Sequence, residues 1–333
     1  MAFSRIGQAL TAREIRDLVA SDLERVEREI GLESVASADA VKAISNHLQS
    51  NGGKRLRPML LLLANKLAGE TNESAIRMGA VVEMIHVATL IHDDVIDDAR
   101  TRRGQPSANV LWGNQTCVLS GDWLYMQAFQ MALRERNFKI LDVLISLTQK
   151  MVEGELIQLE RLGRIDITET EYKDLVDRKT ASLFAACAQL GAIVGGAEPA
   201  LEAKLASYAW NLGMAFQLVD DVLDFTAKES VLGKPVGNDL REGKVTLPLI
   251  FALEKASLHE REQVDRVLRE RSYDPVPLKS ILAIIDRYRG IDQVQRLARD
   301  YTARARSIMA GFEESPHQQA LYAVTDLITE RDR

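Results

Sequence analysis

Two cysteines, eight prolines and twenty glycines are sparse punctuation for a chain of 333 residues. Cys117 and Cys187 cannot build a disulfide framework, and neither stands in a CxxC pair with metal-ligand spacing. They read as small core residues in a reducing cytoplasm. So few prolines and glycines argue against a turn-rich sandwich or barrel. No charge of one sign dominates: 42 Lys and Arg against 48 Asp and Glu leave a net charge of −6, and no global field that would favour nucleic acid. The longest strongly apolar run, Met59 to Ala64, is far too short to span a bilayer. The N-terminal stretch carries charges among its apolar positions and has no h-region, so no signal peptide is expected. GxxxxGK[ST] and GxGxxG are both missing, and no His/Cys cluster has zinc spacing, which removes the usual nucleotide loops and zinc sites.

What remains is 46% hydrophobic and 27% charged, rich in Ala, Leu, Glu, Arg and Ile, and periodic almost throughout at helical spacing. Ile15, Leu18, Val19, Leu23, Val26 and Ile30 form one stripe over 12–30. Helices are predicted at 38–50, from about Pro58, and at 73–98, 116–135, 138–162, 168–195, 198–226, 238–257, 259–271, 276–288, 290–313 and 316–331. The segment 73–98 is apolar nearly all round, which predicts a helix buried inside a bundle. No β alternation and no linker rich in Gly, Ser or Pro interrupts the pattern. The expectation is one all-α domain over 1–333.

The buried helix ends in His92-Asp93-Asp94-Val95-Ile96-Asp97-Asp98. Asp93 and Asp97 are four apart, so both carboxylates lie on one face, with Asp94 about 100° away. Like charges at this spacing repel, and burying them without a counter-charge costs far more. Hard divalent cations prefer such oxygens. The pattern recurs as Asp220, Asp221 and Asp224 in a second apolar helix, with Gln217 one turn before Asp221. Two facing DDxxD segments can hold several Mg²⁺ ions that keep waters and take phosphate oxygens as remaining ligands.

Fixed cations stand near both motifs. Lys54 and Arg57 are three apart at a helix N-terminus, where backbone N–H groups also favour anions. Arg102 and Arg103 follow the first motif closely, and Lys179-Thr180, Lys234 and Lys244 are single basic positions beside Gly or Thr. Any one alone reads as a solvated charge. Beside two acidic motifs, Lys54, Arg57, Arg102 and Arg103 read as a phosphate-binding set. His86 lies two turns before Asp93, so His86, Thr89, Asp93 and Asp97 form a stripe toward one cavity.

GGKRLRP, HDDVIDDARTRRG, the Lys-Thr pair, FQLVDDVLDF and GKPVGNDLREGKVTLP occur in an order that resembles the trans-isoprenyl diphosphate synthase family, over about residues 40–260. Within it, the pattern with VATLIHDD is most similar to bacterial octaprenyl diphosphate synthases of quinone side-chain synthesis. The resemblance implies a helical bundle of the isoprenoid synthase type with a central active-site cavity, and commonly a homodimer. Asp93 and Asp97, with Asp94 in support, would bind Mg²⁺ on an allylic diphosphate, as would Asp220, Asp221 and Asp224 from the other side. Arg102 would touch that diphosphate. Lys54, Arg57, His86 and Arg103 would hold isopentenyl diphosphate. Lys179, Thr180 and Gln217 would line the allylic site, with Lys234 and Lys244 closing over the leaving group.

Product length is expected to depend on the residues one turn before Asp93. Ala88 and Thr89 are small, whereas family members that stop at short products usually carry bulky residues there. Met126, Phe129 and Met131 are candidates for the deeper wall. A shorter-chain synthase stays open as an alternative. A terpene cyclase is disfavoured by the repeated DDxxD, and a non-catalytic regulatory subunit by the intact aspartates. The insoluble product suggests peripheral contact with a membrane and no stable insertion.

Overall fold

The computed structural model describes residues 10–34, 39–50, 55–227 and 236–329. The architecture is all-α. The helices are α1 (Ala12–Asp17), α2 (Ala20–Glu33), α3 (Asp39–Ser50), α4 (Leu56–Ala68) and α5 (Glu73–Ile96), then α6 (Ala108–Trp112), α7 (Asn114–Leu133) and α8 (Phe138–Arg161). After α9 (Glu169–Val176) come α10 (Ser182–Val194), α11 (Pro199–Thr226), α12 (Asn238–Arg241) and α13 (Leu247–Leu253). The C-terminal part holds α14 (Leu258–Glu270), α15 (Leu278–Arg287), α16 (Gly290–Met309) and α17 (Pro316–Thr329).

Local chemistry sets many of the starts. Thr11, Thr168 and Ser257 each accept from the N3 backbone N–H while a glutamate three residues on returns a bond, closing capping boxes on α1, α9 and α14. Asn72 caps α5 by accepting from the Ala75 N–H. By length and composition α5 would suffice to cross a membrane, yet 72% of its most apolar window is buried inside the protein. It packs against α4 and α7, α4 packs on α10, and α10 packs on α11, which in turn lies along α16. Helix faces approach closely where side chains vanish. A Cβ at Gly191 of α10 would collide with the Leu61 carbonyl of α4. Leu60 to Ala64 beneath it are fully or almost fully buried, so truncating one such leucine costs about 2–5 kcal/mol.

Three breaks in the predicted helices and one ribbon between them depart from the sequence reading. The stripe over 12–30 is split at Leu18 and Val19 into α1 and α2. The span 168–195 is interrupted by one π turn, Asp177–Ala181. The span 238–257 is broken at Gly243, whose φ of 90° an L side chain adopts only with strain, and resumes at α13 with Pro248 in its first turn. Finally, 97–107 holds a two-residue antiparallel ribbon that no alternation announced, Thr101–Arg102 on Gln105–Pro106. Arg103 and Gly104, at φ 52° and 75°, make its tight turn, as a two-residue hairpin loop requires.

Candidate active site

Of the two acidic motifs and the described cations, Asp93, Asp221, Arg57, Lys179 and Lys244 line two adjoining cavities. The larger, about 500 Å³, is walled by Arg57, His86, Thr89 and Asp93 at one end, then by apolar residues of α5, α7 and α8. The smaller, about 210 Å³, is walled by Tyr172, Asp221, Asp239 and Lys244. Lys179, Thr180 and Gln217 line both, so they form the junction.

The π turn explains how two successive residues reach one junction. It adds a residue to the turn that carries Lys179 and Thr180, and such bulges often mark functional sites. Gly213 of α11 lets this turn approach, since a Cβ there would strike Ala181 Cα. Lys179 Nζ donates to Gln158 Oε1 at 2.9 Å and pairs with Glu155 at 2.5 Å. Thr180 Oγ1 donates to Gln217 Oε1 at 2.9 Å, and Gln217 Nε2 donates to Asp221 Oδ1 at 2.9 Å. Tyr172 O–H donates to the other oxygen, Asp221 Oδ2. Asp221 is thus a buried carboxylate held from both sides, and burial pushes it up to about 8, with Asp239 adding to the rise. Asp224, at 0% exposure, accepts from the Asp239 backbone N–H at 3.3 Å, tying α11 to the start of α12. Asp220 is half-buried, and its charge reaches Arg57.

The first motif is arranged differently. Asp93 faces the larger cavity, and burial, then Glu155, pushes it up to about 7. Asp94 turns into the protein at 0% exposure, where Arg102 Nε donates to its Oδ1 at 2.7 Å and its Oδ2 is buried with no hydrogen-bond partner among the described residues. Asp97 is exposed at the C-cap of α5, and Lys244 Nζ lies 3.1 Å from both its oxygens. The break at Gly243 is what swings Lys244 back onto the motif. Arg102 and Arg103 sit on and beside the ribbon, and burial lowers the Arg103 guanidinium.

At the far end Arg57 Nη1 lies 2.9 Å from His86 Nε2. A guanidinium N–H only donates, so the ring nitrogen accepts and His86 is neutral. Burial, then the charge of Arg57, holds His86 well below its ordinary range. Arg57 Nε is buried with no partner among the described residues, which suits an anion-binding role. Thr89 lines the cavity, whereas Ala88 is fully buried outside its walls. Met126 is 64% exposed and Met131 fully buried, so neither they nor half-buried Phe129 belong to the cavity lining. The aromatic group in that wall is Tyr125, stacked on His92 at 5.9 Å between ring centres. Lys54 and Lys234 lie outside the described residues.

Tyr172, Tyr125, Glu155, Gln158 and Asp239 are among the site residues that the sequence did not single out. Each is one residue on an ordinary helix face, without a spacing that would mark it. Among the described residues, no three His, Cys, Asp or Glu side chains converge as a closed metal cluster. The donors are instead aspartates on two helices at adjoining cavities, with carboxyls pushed up by burial and mutual repulsion. That set fits a hard divalent cation whose remaining ligands are water and substrate oxygens.

Residues 38–285 match the Polyprenyl synthetase family model. Octaprenyl diphosphate synthase of Escherichia coli is 35% identical, with 97% of this chain and 100% of the relative covered. Short chain isoprenyl diphosphate synthase of Methanothermobacter thermautotrophicus is 36% identical, over 96% of this chain and 99% of the relative. The crystal structure of polyprenyl synthase from Caulobacter crescentus, complexed with calcium and isoprenyl diphosphate, superposes with a TM-score of 0.92 at 34% identity, covering 98% of this chain and 100% of that one. The chain belongs to the polyprenyl synthetase family and is a prenyltransferase, a trans-prenyl diphosphate synthase with the family's all-α fold.

Proposed function

We propose that the chain is a long-chain trans-polyprenyl diphosphate synthase that adds isopentenyl diphosphate repeatedly to an allylic diphosphate of the farnesyl type, giving octaprenyl diphosphate for quinone side chains. The observation that carries this reading is the roughly 500 Å³ cavity that runs from Asp93 between α5, α7 and α8, with Val95, Val118, Met151, Val152, Leu156 and Leu159 in its walls. An apolar chamber leading away from a polar, cation-lined end suits a growing hydrocarbon tail. A shorter product is favoured by one feature, the Tyr125 ring in the same wall.

Asp93 and Asp97, supported by Asp94, and Asp220, Asp221 and Asp224 would hold Mg²⁺, which when bound neutralises charge developing on the departing diphosphate. Lys179, Arg102, Lys234 and Lys244 add fixed positive charge toward that leaving group. Lys54, Arg57, His86 and Arg103 orient isopentenyl diphosphate by its own diphosphate. Thr180 and Gln217 present neutral oxygens at the junction, which stabilise an allylic cation without attacking it. The apolar walls keep water from that cation. The isopentenyl double bond adds to it, and the proton lost in forming the new double bond passes to the released diphosphate. No Ser or Cys nucleophile takes part.

The assembly proposed is a homodimer. Leu119, Met126 and Leu133 on α7, with Ile145 on α8, are exposed at 46–69%, apolar side chains that a partner subunit would cover. Buried, unbridged Cys117 and Cys187 suit a reducing cytoplasm. Membrane contact is proposed as peripheral, during product release. Incubating purified protein with Mg²⁺, isopentenyl diphosphate and farnesyl diphosphate, then analysing products by mass spectrometry, tests the reading. Octaprenyl diphosphate is the expected dominant product. Termination at geranylgeranyl diphosphate would overturn the long-chain assignment, and no elongation by folded protein would overturn the activity.

A further inference from the structure

The start of α4 meets the middle of α5 through two adjacent contacts. Arg57 donates to His86, and two residues earlier Arg55 Nη1 donates to Glu83 Oε1 at 2.8 Å. Glu83 and His86 are three apart on α5, so they share a face and act as two rungs on which the start of α4 is hung. Glu83 is 5% exposed, and the Arg55 side chain is 10% exposed. Arg55 Nε also reaches Glu27 Oε1 of α2 at 3.3 Å. A carboxylate this deep stays charged only where it is paired and hydrogen-bonded.

The backbone gives that pairing a location. Arg55 is the N-cap of α4 and has a φ of 47°, the left-handed region, without a side-chain cap bond. For a residue with a Cβ this conformation is unfavourable. It persists only where the surroundings hold it, and here the Arg55 side chain is anchored to Glu83 and Glu27. Glu83 also acts on the neighbouring cations. It is the acid that most offsets the burial of Arg57, and it offsets the crowding of Arg103 by Arg102.

We infer that Glu83, acting through Arg55, is a positioning residue for the isopentenyl diphosphate site: it fixes the start of α4 so that Arg57 stays seated on His86. Glu83 itself is not a substrate ligand. The inference rests on the assignment of Arg57 and His86 to isopentenyl diphosphate proposed above. It also has a sign. By charge alone, a buried anion near a diphosphate weakens binding, so its removal would lower KM. As a positioning group, its removal raises KM.

Steady-state kinetics of Glu83→Gln, varying each substrate separately, decide the matter. The KM for isopentenyl diphosphate is expected to rise about tenfold, since a small misplacement of a binding group suffices for that. The KM for farnesyl diphosphate should stay at its wild-type value. The double variant Arg55→Gly/Glu83→Gln leaves neither partner charged in the core and suits the left-handed backbone; it should fold even if the single variant does not, and show the same selective rise. Arg55→Lys, which keeps the charge but loses the fork, should fall between. An unchanged or lowered KM for isopentenyl diphosphate, or an equal rise for both substrates, would overturn the inference. Arg57→Ala is the control: if it leaves that KM unchanged, the assignment of the diphosphate site is wrong, whatever Glu83 does.

Discussion

The two DDxxD segments are identical in spacing and opposite in setting. On α11 the carboxylates lie within a helix, and Asp221 is gripped by the neutral donors Tyr172 and Gln217 while Asp224 takes a backbone N–H. On α5 the motif runs off the helix end. Its three aspartates point three ways: Asp93 into the cavity, Asp94 inward to Arg102, and Asp97 out to Lys244. Neutral donors fix a carboxyl group without setting a counter-charge on it, whereas a lysine or arginine supplies one. On the proposed function the second motif is therefore positioned in advance, and the first is held by charges that an arriving cation would have to share.

The largest effect that sharpens this contrast is on stability. Arg102→Ala leaves Asp94 buried without its cation and should cost about 3–5 kcal/mol in denaturant unfolding, whereas Arg102→Met with Asp94→Asn should recover most of it. Tyr172→Phe removes one donor from Asp221 and should cost about 1–3 kcal/mol, with turnover falling as the second motif loosens.

Next in size is a pH effect. Asp93 and Asp221 are both pushed above the ordinary value of 3.8, to about 7 and about 8. At these two groups the folded state therefore binds more protons than the unfolded state between these limits, so their contribution to stability falls as pH rises from about 4 to 8, opposing the gain from buried, neutral His86. The melting temperature of the metal-free protein should rise less, or fall more, across that range than that of the double variant Asp93→Asn/Asp221→Asn. Mg²⁺ should raise the wild-type value more at pH 8 than at pH 5.5, and chelation should reverse the gain. Smallest is Lys244→Ala. Its pair with Asp97 is partly open to solvent, with side chains 19% and 32% exposed, so stability should change by less than about 1 kcal/mol. A loss as large as that of Arg102→Ala would erase the distinction between the two kinds of counter-charge.

Much of this was legible in the sequence because it is periodic. The all-round apolar stretch 73–98 became the buried α5, and the repeated aspartate spacing located both halves of the site. What escaped depends on single residues whose partners are remote in sequence. Nothing around Tyr172 marks it as the donor to Asp221, and nothing in Glu155 marks it as the partner of Lys179. Helical spacing put Asp94 near its neighbours but could not show that the ribbon after α5 would bring Arg102 over it. The π turn at 177–181 likewise follows from the close passage at Gly213, a tertiary fact. Ala88 and Thr89 are both expected at the cavity wall by their small size and their place one turn before Asp93, and only Thr89 lines it. Overall similarity does not set product length: relatives at 35% and 36% identity are named octaprenyl and short chain synthases.

On the proposed function, both motifs hold one diphosphate through shared metal ions. Calorimetric titration of an unreactive thio analogue of farnesyl diphosphate tests it, using the wild type, Asp93→Ala, Asp220→Ala and the double variant, with and without Mg²⁺. Binding should require Mg²⁺, weaken about a hundredfold or more in each single variant, and weaken little further in the double variant, since residues that act as a unit are not additive. Binding that survives chelation, or losses that simply add, would contradict it.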